Sequence, residues 1–139
     1  MKSILKMMFA GILIAGISSC DREDPTPVKE DIGGKGGNAV INAIPRHHGN
    51  NIDSCTIYIK YNTLDKPNPV FNASQYDDSV KCVKVNNNPT ATFTGLKKGK
   101  YFLYGVGWDP QGFAVEAGKP VTITAEQTYE VVVPVTEGD

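Results

Sequence analysis

The chain has two histidines, His47 and His48, which are neighbours and follow Arg46. Imidazole nitrogens bind Zn²⁺ or Cu²⁺, and carboxylates from other segments complete such sites. A metal site is therefore one interpretation, and its candidate ligands are His47, His48, Asp53, Asp77 and Asp78. Adjacent side chains reach one ion only where a loop curls. The alternatives are a hydrogen-bonded or exposed histidine pair, and a small-anion site beside Arg46.

The acidic motif Tyr76-Asp77-Asp78-Ser79 allows two further kinds of site. Paired carboxylates bind Ca²⁺, but a calcium loop gathers about six to eight oxygens and this segment offers two dependable donors. Asp78-Ser79-Val80 also resembles the short Asp-Ser/Thr-aliphatic O-glycosylation motif of exported Bacteroidota proteins. That resemblance makes Ser79 a candidate glycosylation site.

The segment Trp108-Asp109-Pro110-Gln111-Gly112-Phe113 predicts an aromatic loop at the end of a strand. Tryptophan and tyrosine rings stack on sugars or anchor protein partners, so Trp108 is a candidate binding residue. If loops at one end of the fold converge, the same surface would include Tyr58, Tyr61, Phe71 and Tyr76. The alternative is that Trp108 covers the core against Gly105 and Gly107.

The sequence indicates neither catalysis nor a cofactor. The serines lack a nucleophile-elbow setting, no glycine-rich loop precedes a helix, and the carboxylates are scattered. Lys and Arg number 14 against 15 Asp and Glu, a net charge of −1. A chain without basic excess is a poor nucleic-acid binder, so we expect no nucleic-acid partner.

Two cysteines, Cys55 and Cys82, fall on predicted strands. Outside the cytoplasm such a pair forms disulfides, and a bridge here would close a long loop. Two buried free thiols are the alternative. Neither cysteine belongs to a Cys-x-x-Cys motif, which argues against a metal or thioredoxin-like redox role.

Residues 1–20 have a basic start, an apolar run over residues 7–17 and a small-residue end, Ile17-Ser18-Ser19-Cys20. The apolar run is about half the length that a membrane-spanning helix needs, which is typical of a signal peptide. The last four residues resemble the lipobox of bacterial lipoproteins. The resemblance implies that residues 1–19 are removed and that Cys20 carries the lipid anchor. A plain secretory peptide with a chance cysteine is the alternative.

The segment after Cys20 predicts both a localisation signal and a flexible tether. Asp21-Arg22-Glu23-Asp24 resembles the surface-export signal of Bacteroidota lipoproteins, which implies an outer-membrane protein facing outward. A charged linker on a periplasm-facing protein is the alternative. Residues 20–37 are rich in glycine and proline and poor in apolar residues, so we expect the lipidated cysteine and a flexible tether there.

Residues 38–139 are predicted to form one all-β domain. Valine and threonine are abundant, and β-branched side chains favour strands. Short apolar runs end at turn residues and predict strands over 38–44, 55–61, 79–85, 90–94, 100–107, 113–117, 120–124 and 128–135. Strand 100–107 is apolar on both faces and is expected to be central. Seven or eight short strands indicate a single antiparallel β-sandwich.

Residues 91–103, Ala-Thr-Phe-Thr-Gly-Leu-Lys-Lys-Gly-Lys-Tyr-Phe-Leu, supply a family resemblance. They resemble the F-x-G-L-x-x-G-x-Y-x-L hairpin of carboxypeptidase-regulatory-like, transthyretin-like and Cna-B-like sandwiches. The resemblance implies a transthyretin-like or Ig-like fold with Leu96, Tyr101 and Leu103 in the core. It says little about function, because such folds carry many functions.

The leading functional hypothesis is a lipid-anchored, non-enzymatic accessory or binding module of the cell envelope. Its partners would be the membrane, through Cys20, and a protein or glycan bound by loops at one end of the sandwich. A metal-handling lipoprotein using His47 and His48 is the main alternative, and a small hydrolase is a further one.

Overall fold

The computed structural model describes residues 29–137. They form β1 Lys35–His47, β2 Asn50–Asn51, β3 Ser54–Tyr61, β4 Asp78–Lys81, β5 Val83–Val85, β6 Asn88–Leu96, β7 Gly99–Trp108, β8 Ala114–Ile123, β9 Thr128–Pro134 and β10 Thr136–Glu137, with a 3₁₀ turn at Ala73–Gln75. No helix within this described range is long and apolar enough to cross a membrane. The predicted signal peptide, the lipidation site at Cys20 and residues 21–28 of the predicted tether lie outside it.

The strands form two five-stranded sheets, which confirms the predicted all-β class. The first sheet has β1 between β6 and β9, with β5 beyond β6 and β2 beside the end of β1. The second has the order β10-β8-β7-β3-β4. The prediction of a wholly antiparallel fold was wrong in one place, because β1 and β9 are parallel over Val40–Arg46 and Thr128–Pro134.

One apolar core lies between the two sheets, as in a β-sandwich. Ile41 and Phe93 enter it from the first sheet, and Ile57 and Leu103 from the second, each almost fully buried. The central position predicted for strand 100–107 is confirmed, since β7 pairs with β3 on one edge and β8 on the other.

The first strand is longer at its C-terminal end than predicted and carries His47. Pro45 was expected to end the strand, but β1 continues to His47. The Pro45 carbonyl accepts a hydrogen bond from the Ile52 N–H, so the missing proline N–H points to the same edge. Pairing of that edge with β6 has already ended at Ala43. Pro45 lies opposite Ile52 in the pairing of β1 with β2, so the proline removes only the reciprocal hydrogen bond of that one pair. The strand continues past it, and His47 lies in a strand instead of a loop.

The N-terminal boundary also differs, because β1 begins at Lys35 and not at residue 38. Gly33 and Gly34 are buried, and a Cβ on Gly33 would lie 2.9 Å from the Lys100 carbonyl oxygen. Gly34 and Gly36 have positive φ angles, which favour glycine. The glycines predicted to loosen a tether instead let the chain pack closely on the start of β7.

Two connections cross between the sheets where simpler structures were predicted. Strand 79–85 divides at Cys82 into β4, which pairs with β3, and β5, which pairs with β6. The predicted hairpin around Gly95 and Gly99 is not a hairpin, because β6 and β7 lie in different sheets. Leu96, the last residue of β6, is fully buried as expected.

Candidate functional site

Four segments meet at one end of the sandwich, which we call the loop end. They are the end of β1 with its His48–Gly49 turn, strand β2, the turn over residues 108–113 between β7 and β8, and β10. Val135 donates its backbone N–H to the Arg46 carbonyl at 2.9 Å, which brings the last segment beside β1. Glu137 then pairs with Val115 at the start of β8. The parallel pairing of β1 with β9 thus gathers distant parts of the chain.

His47 is held at the loop end by a backbone hydrogen bond. Its Nδ1 lies 2.8 Å from the Val135 carbonyl oxygen. A carbonyl oxygen only accepts, so Nδ1 carries the proton and donates. In the neutral ring Nε2 therefore carries a lone pair, and this atom lies 3.7 Å from Oε1 of Glu137. The side chain is 10% exposed, so its orientation is fixed by packing as well as by the hydrogen bond.

Asp109 is a buried carboxylate in the turn between β7 and β8. Its Oδ1 accepts hydrogen bonds from the backbone N–H groups of Gln111 at 2.9 Å and Phe113 at 2.8 Å. Asp109 also donates its own backbone N–H to the Phe113 carbonyl at 2.9 Å. These three bonds position the carboxylate, and no donor within residues 29–137 bonds to Oδ2. One oxygen is therefore left for another ligand.

Ligand atoms of His47, Asp109 and Glu137 all lie within 4.8 Å of one another. Of the five predicted metal ligands, only His47 belongs to this cluster. His48 stacks on the His47 ring at 4.0 Å but is exposed. The three predicted carboxylates instead pair with lysines: Asp53 with Lys84 at 2.9 Å, Asp77 with Lys60 at 3.2 Å, and Asp78 with Lys35 at 3.2 Å.

The predicted calcium loop and glycosylation site lie on the second sheet, away from the histidines. Asp77 Oδ2 accepts a hydrogen bond from the Tyr61 N–H at 2.7 Å, and its Oδ1 binds Lys60. Both oxygens therefore serve to close the long β3–β4 connection. Ser79 is exposed on β4, which forms an edge of the sheet. Arg46 is half-buried, and its Nε has no hydrogen-bond partner within the described residues.

Trp108 and Phe113 flank the β7–β8 turn, and each is 58% exposed. Trp108 therefore does not cover the core, which was the alternative to a binding role. The space above Gly105 is filled instead by Val135, whose Cγ1 would lie 2.8 Å from an added Cβ. Gly107 faces the backbone of β3, with the Cys55 Cα 3.0 Å from such a Cβ.

A shallow depression of about 240 Å³ lies beside the exposed indole. It is lined by Asn51, Asp53, Ser54, Trp108, Asp109 and Pro110. An aromatic face next to amide, hydroxyl and carboxylate groups supplies both stacking and hydrogen bonding. This arrangement suits a small polar ligand with apolar faces.

The other predicted aromatic residues do not join Trp108. The Tyr58 ring lies 4.9 Å from that of Phe71 and 5.7 Å from that of Tyr76. Phe71 also stacks on Tyr104 at 5.3 Å. These rings attach the long β3–β4 connection to the outer face of the second sheet. Tyr61 instead packs edge-on against the buried Tyr101 ring, with their centroids 5.7 Å apart.

Cys55 and Cys82 are neighbours across β3 and the end of β4. Both are buried free thiols, and the Cys82 N–H donates to the Cys55 carbonyl at 2.9 Å. A hydrogen bond with the Cys82 side chain, together with burial, raises the pKa of the Cys55 thiol. The same hydrogen bond lowers the pKa of Cys82. The Cys55 thiol also lies 3.7 Å from the Thr56 carbonyl oxygen, to which it donates.

Two residues of the loop end, Asp109 and Glu137, were not among the predicted ligands. Asp109 lies in the aromatic motif of residues 108–113, and aspartate side chains typically accept hydrogen bonds from the backbone N–H groups of a turn that follows them. Glu137 carries no local signal of its role. Comparison with protein-family models, with curated proteins and with solved structures finds no match to this chain.

Proposed function

We propose that this protein is an envelope lipoprotein, anchored through Cys20, that binds a glycan non-enzymatically at the loop end. The observation that carries the proposal is the exposed Trp108 ring beside a polar depression. Sugars present apolar C–H faces and hydroxyl edges, which match an indole face next to Asn51, Asp53 and Ser54.

The course of β1 supports this orientation. The strand starts at Lys35, next to the proposed tether, and ends at His47 in the loop end. Its thirteen residues at about 3.3 Å each span about 40 Å. The loop end is thus the end of the domain far from the N-terminal segment. On a lipid-anchored chain Trp108 would face away from the membrane.

The residues outside the described range support the anchor. Ile17-Ser18-Ser19-Cys20 resembles a lipobox, and the acidic residues that follow resemble a signal for export to the outer surface of the outer membrane. Acyl chains contribute about 0.8 kcal/mol for each buried CH₂ group, so a multiply acylated cysteine anchors a protein stably. The two-sheet fold, and the burial of Leu96, Tyr101 and Leu103 that the resemblance implies, support a carboxypeptidase-regulatory-like or transthyretin-like domain as part of the same proposal.

A glycan array with matched variants tests the binding function. Wild-type protein should give signals on a defined set of glycans, and Trp108→Ala should abolish them because the stacking face is gone. Val70→Ala is the control, since Val70 is 76% exposed but lies in the β3–β4 connection. Absence of any glycan signal, or equal loss in both variants, would refute the assignment of Trp108 to glycan binding. A protein partner then becomes the better interpretation.

The anchor and the location have separate tests. Metabolic labelling with an alkyne-modified palmitate should mark the wild-type chain and leave Cys20→Ala unlabelled. Protease treatment of intact cells should remove the domain if it faces outward. Resistance of the domain to protease would place it on the periplasmic side.

A further inference from the structure

We propose that His47, Asp109 and Glu137 form a binding site for a divalent transition-metal ion, with Zn²⁺ as the representative ion. The proposal does not depend on glycan binding, because only Asp109 is common to the cluster and the depression beside Trp108, and the readout is different. The proposed site shares His47 with the metal site expected from the sequence, but Asp109 and Glu137 take the place of His48, Asp53, Asp77 and Asp78.

The tautomer of His47 is the first argument. Metal-binding histidines commonly donate one ring N–H to a carbonyl or carboxylate, which orients the other nitrogen toward the ion. His47 does this through Nδ1 and the Val135 carbonyl, at 2.8 Å. Its Nε2 then faces the carboxylate of Glu137, at 3.7 Å from Oε1. The ring is buried, so this direction is set by the fold.

The second argument is the preorganised carboxylate of Asp109. Two backbone N–H groups bind Oδ1, so the side chain has little freedom to turn away. Asp109 is 7% exposed, and a buried carboxylate needs a partner that compensates its charge. Among the partners within residues 29–137, no lysine or arginine pairs with it.

Electrostatics make a cation the natural occupant. Ligand atoms of two carboxylates and one imidazole lie within 4.8 Å of one another. The negative charges of the carboxylates repel each other and the lone pair on the imidazole nitrogen, which raises the electrostatic energy of the cluster. A divalent ion removes this repulsion and gains three bonds of about 2.0–2.2 Å. Ligand atoms around such an ion lie closer than 4.8 Å. Glu137 can move inward, because its side chain is 55% exposed.

The donor set selects the class of ion. One nitrogen and two carboxylate oxygens suit Zn²⁺ and related first-row divalent ions. Ca²⁺ requires about six to eight oxygens and Cu⁺ prefers sulfur, so neither fits. Three protein ligands leave coordination positions for water or for a ligand group. Asp109 directly follows Trp108, so the ion would lie beside the exposed indole.

A proton is the competing occupant. Protonated His47 would form an ion pair with Glu137 and relieve the same repulsion without a metal. The experiment therefore has to separate metal binding from protonation.

Three substitutions make the separation possible. His47→Asn keeps a donor near the Nδ1 position for Val135 but removes Nε2. Asp109→Asn keeps the acceptor for Gln111 and Phe113 but removes the charge. His48→Asn is the matched control, because His48 has a φ of 47° that asparagine tolerates and its ring lies outside the cluster.

The full chain, purified in a non-ionic detergent and stripped with a chelator, is titrated with ZnCl₂ by calorimetry. We expect one ion per chain for the wild type and for His48→Asn. Each of the other two variants should weaken binding by more than the roughly 10–100-fold that loss of an outer-shell partner costs. Circular dichroism confirms that each variant keeps its strands.

Imidazole signals in NMR supply the second readout, and the chain has two histidines to resolve. At constant pH, Zn²⁺ should shift the ring signals of His47 and leave those of His48 in place. Absence of wild-type binding heat, an affinity unchanged in folded His47→Asn, or His47 signals unaffected by Zn²⁺ would each overturn the proposal.

Discussion

The hydroxyl of Tyr101 connects the N-terminal segment to the sandwich, and its removal should destabilise the fold. Tyr101 is fully buried. Its oxygen accepts a hydrogen bond from the Gly34 N–H at 2.8 Å and donates to the Lys97 carbonyl at 2.7 Å. Burial raises the pKa of Tyr101, so the hydroxyl is protonated and available as a donor at neutral pH.

The magnitude follows from the two groups that Tyr101→Phe leaves without a partner. A buried donor or acceptor left unsatisfied costs about 1–3 kcal/mol. The Gly34 N–H is buried, whereas the Lys97 carbonyl belongs to an exposed turn residue and can regain water. We therefore expect a loss of about 2 kcal/mol in the free energy of unfolding. For a domain of this size that loss lowers Tm by about 8 °C.

Urea denaturation at pH 7, followed by far-UV circular dichroism, measures this loss. Tyr61→Phe is the matched control, because its ring packs against Tyr101 but its hydroxyl has no hydrogen-bond partner within residues 29–137. The control should change stability by less than about 0.5 kcal/mol. Equal effects in the two variants, or a stable Tyr101→Phe, would refute the reasoning that Tyr101 fastens residues 33–37 to the domain.

Three further predictions concern stability and redox state. Burial, as the largest cause, raises the pKa values of Tyr61 and Tyr76 to about 12, so the folded chain holds these protons more tightly than the unfolded chain. Stability should be complete below about pH 10 and fall as the pH rises through about 12, less steeply in Tyr76→Phe; a flat alkaline profile would contradict this. Gly105→Ala should lower the free energy of unfolding in urea titrations by about 1–3 kcal/mol, since the added Cβ would lie 2.8 Å from Val135. An unchanged free energy would mean that Val135 can move aside. Mild oxidation should remove two protons and two electrons from Cys55 and Cys82 and join them, with a stabilisation of about 3–4 kcal/mol for a 27-residue separation. Retention of both thiols in a thiol titration of the oxidised chain would contradict that last prediction, and Cys55→Ser controls for intermolecular bridging.

Local patterns predicted most of the strands, because alternation and β-branched residues act over neighbouring positions. The alternating run Cys55, Ile57, Ile59 indeed faces the core as β3. Failures came where the physical cause is distant in sequence. Cys82 marks a passage between sheets with no glycine or proline to signal it. Gly33 and Gly34 resemble linker residues until the approach of β7 is known.

The candidate metal cluster could be predicted only in part for the same reason. His47 was found because histidine has a distinctive chemistry. Glu137 reaches it only because β9 pairs in parallel with β1 and the chain then crosses to β8 as β10, and Asp109 reaches it from the turn between β7 and β8 in the other sheet. An antiparallel pairing of strands that are adjacent in sequence does not predict that these three side chains lie together. Asp53 is closer to His47 in the sequence, but its carboxylate forms an ion pair with Lys84. This pairing of two exposed side chains cannot be read from their separation in the sequence.

The pairing of β1 also has a mechanical consequence. A pull between the N-terminal segment and a partner held at the loop end acts along the length of β1. This strand is hydrogen-bonded to β6 on one edge and, through seven residue pairs, to β9 on the other. Such a load shears both ladders at once, whereas a pull across a sheet opens hydrogen bonds one after another. A tethered domain built in this way resists tension in the direction in which a captured ligand would apply it.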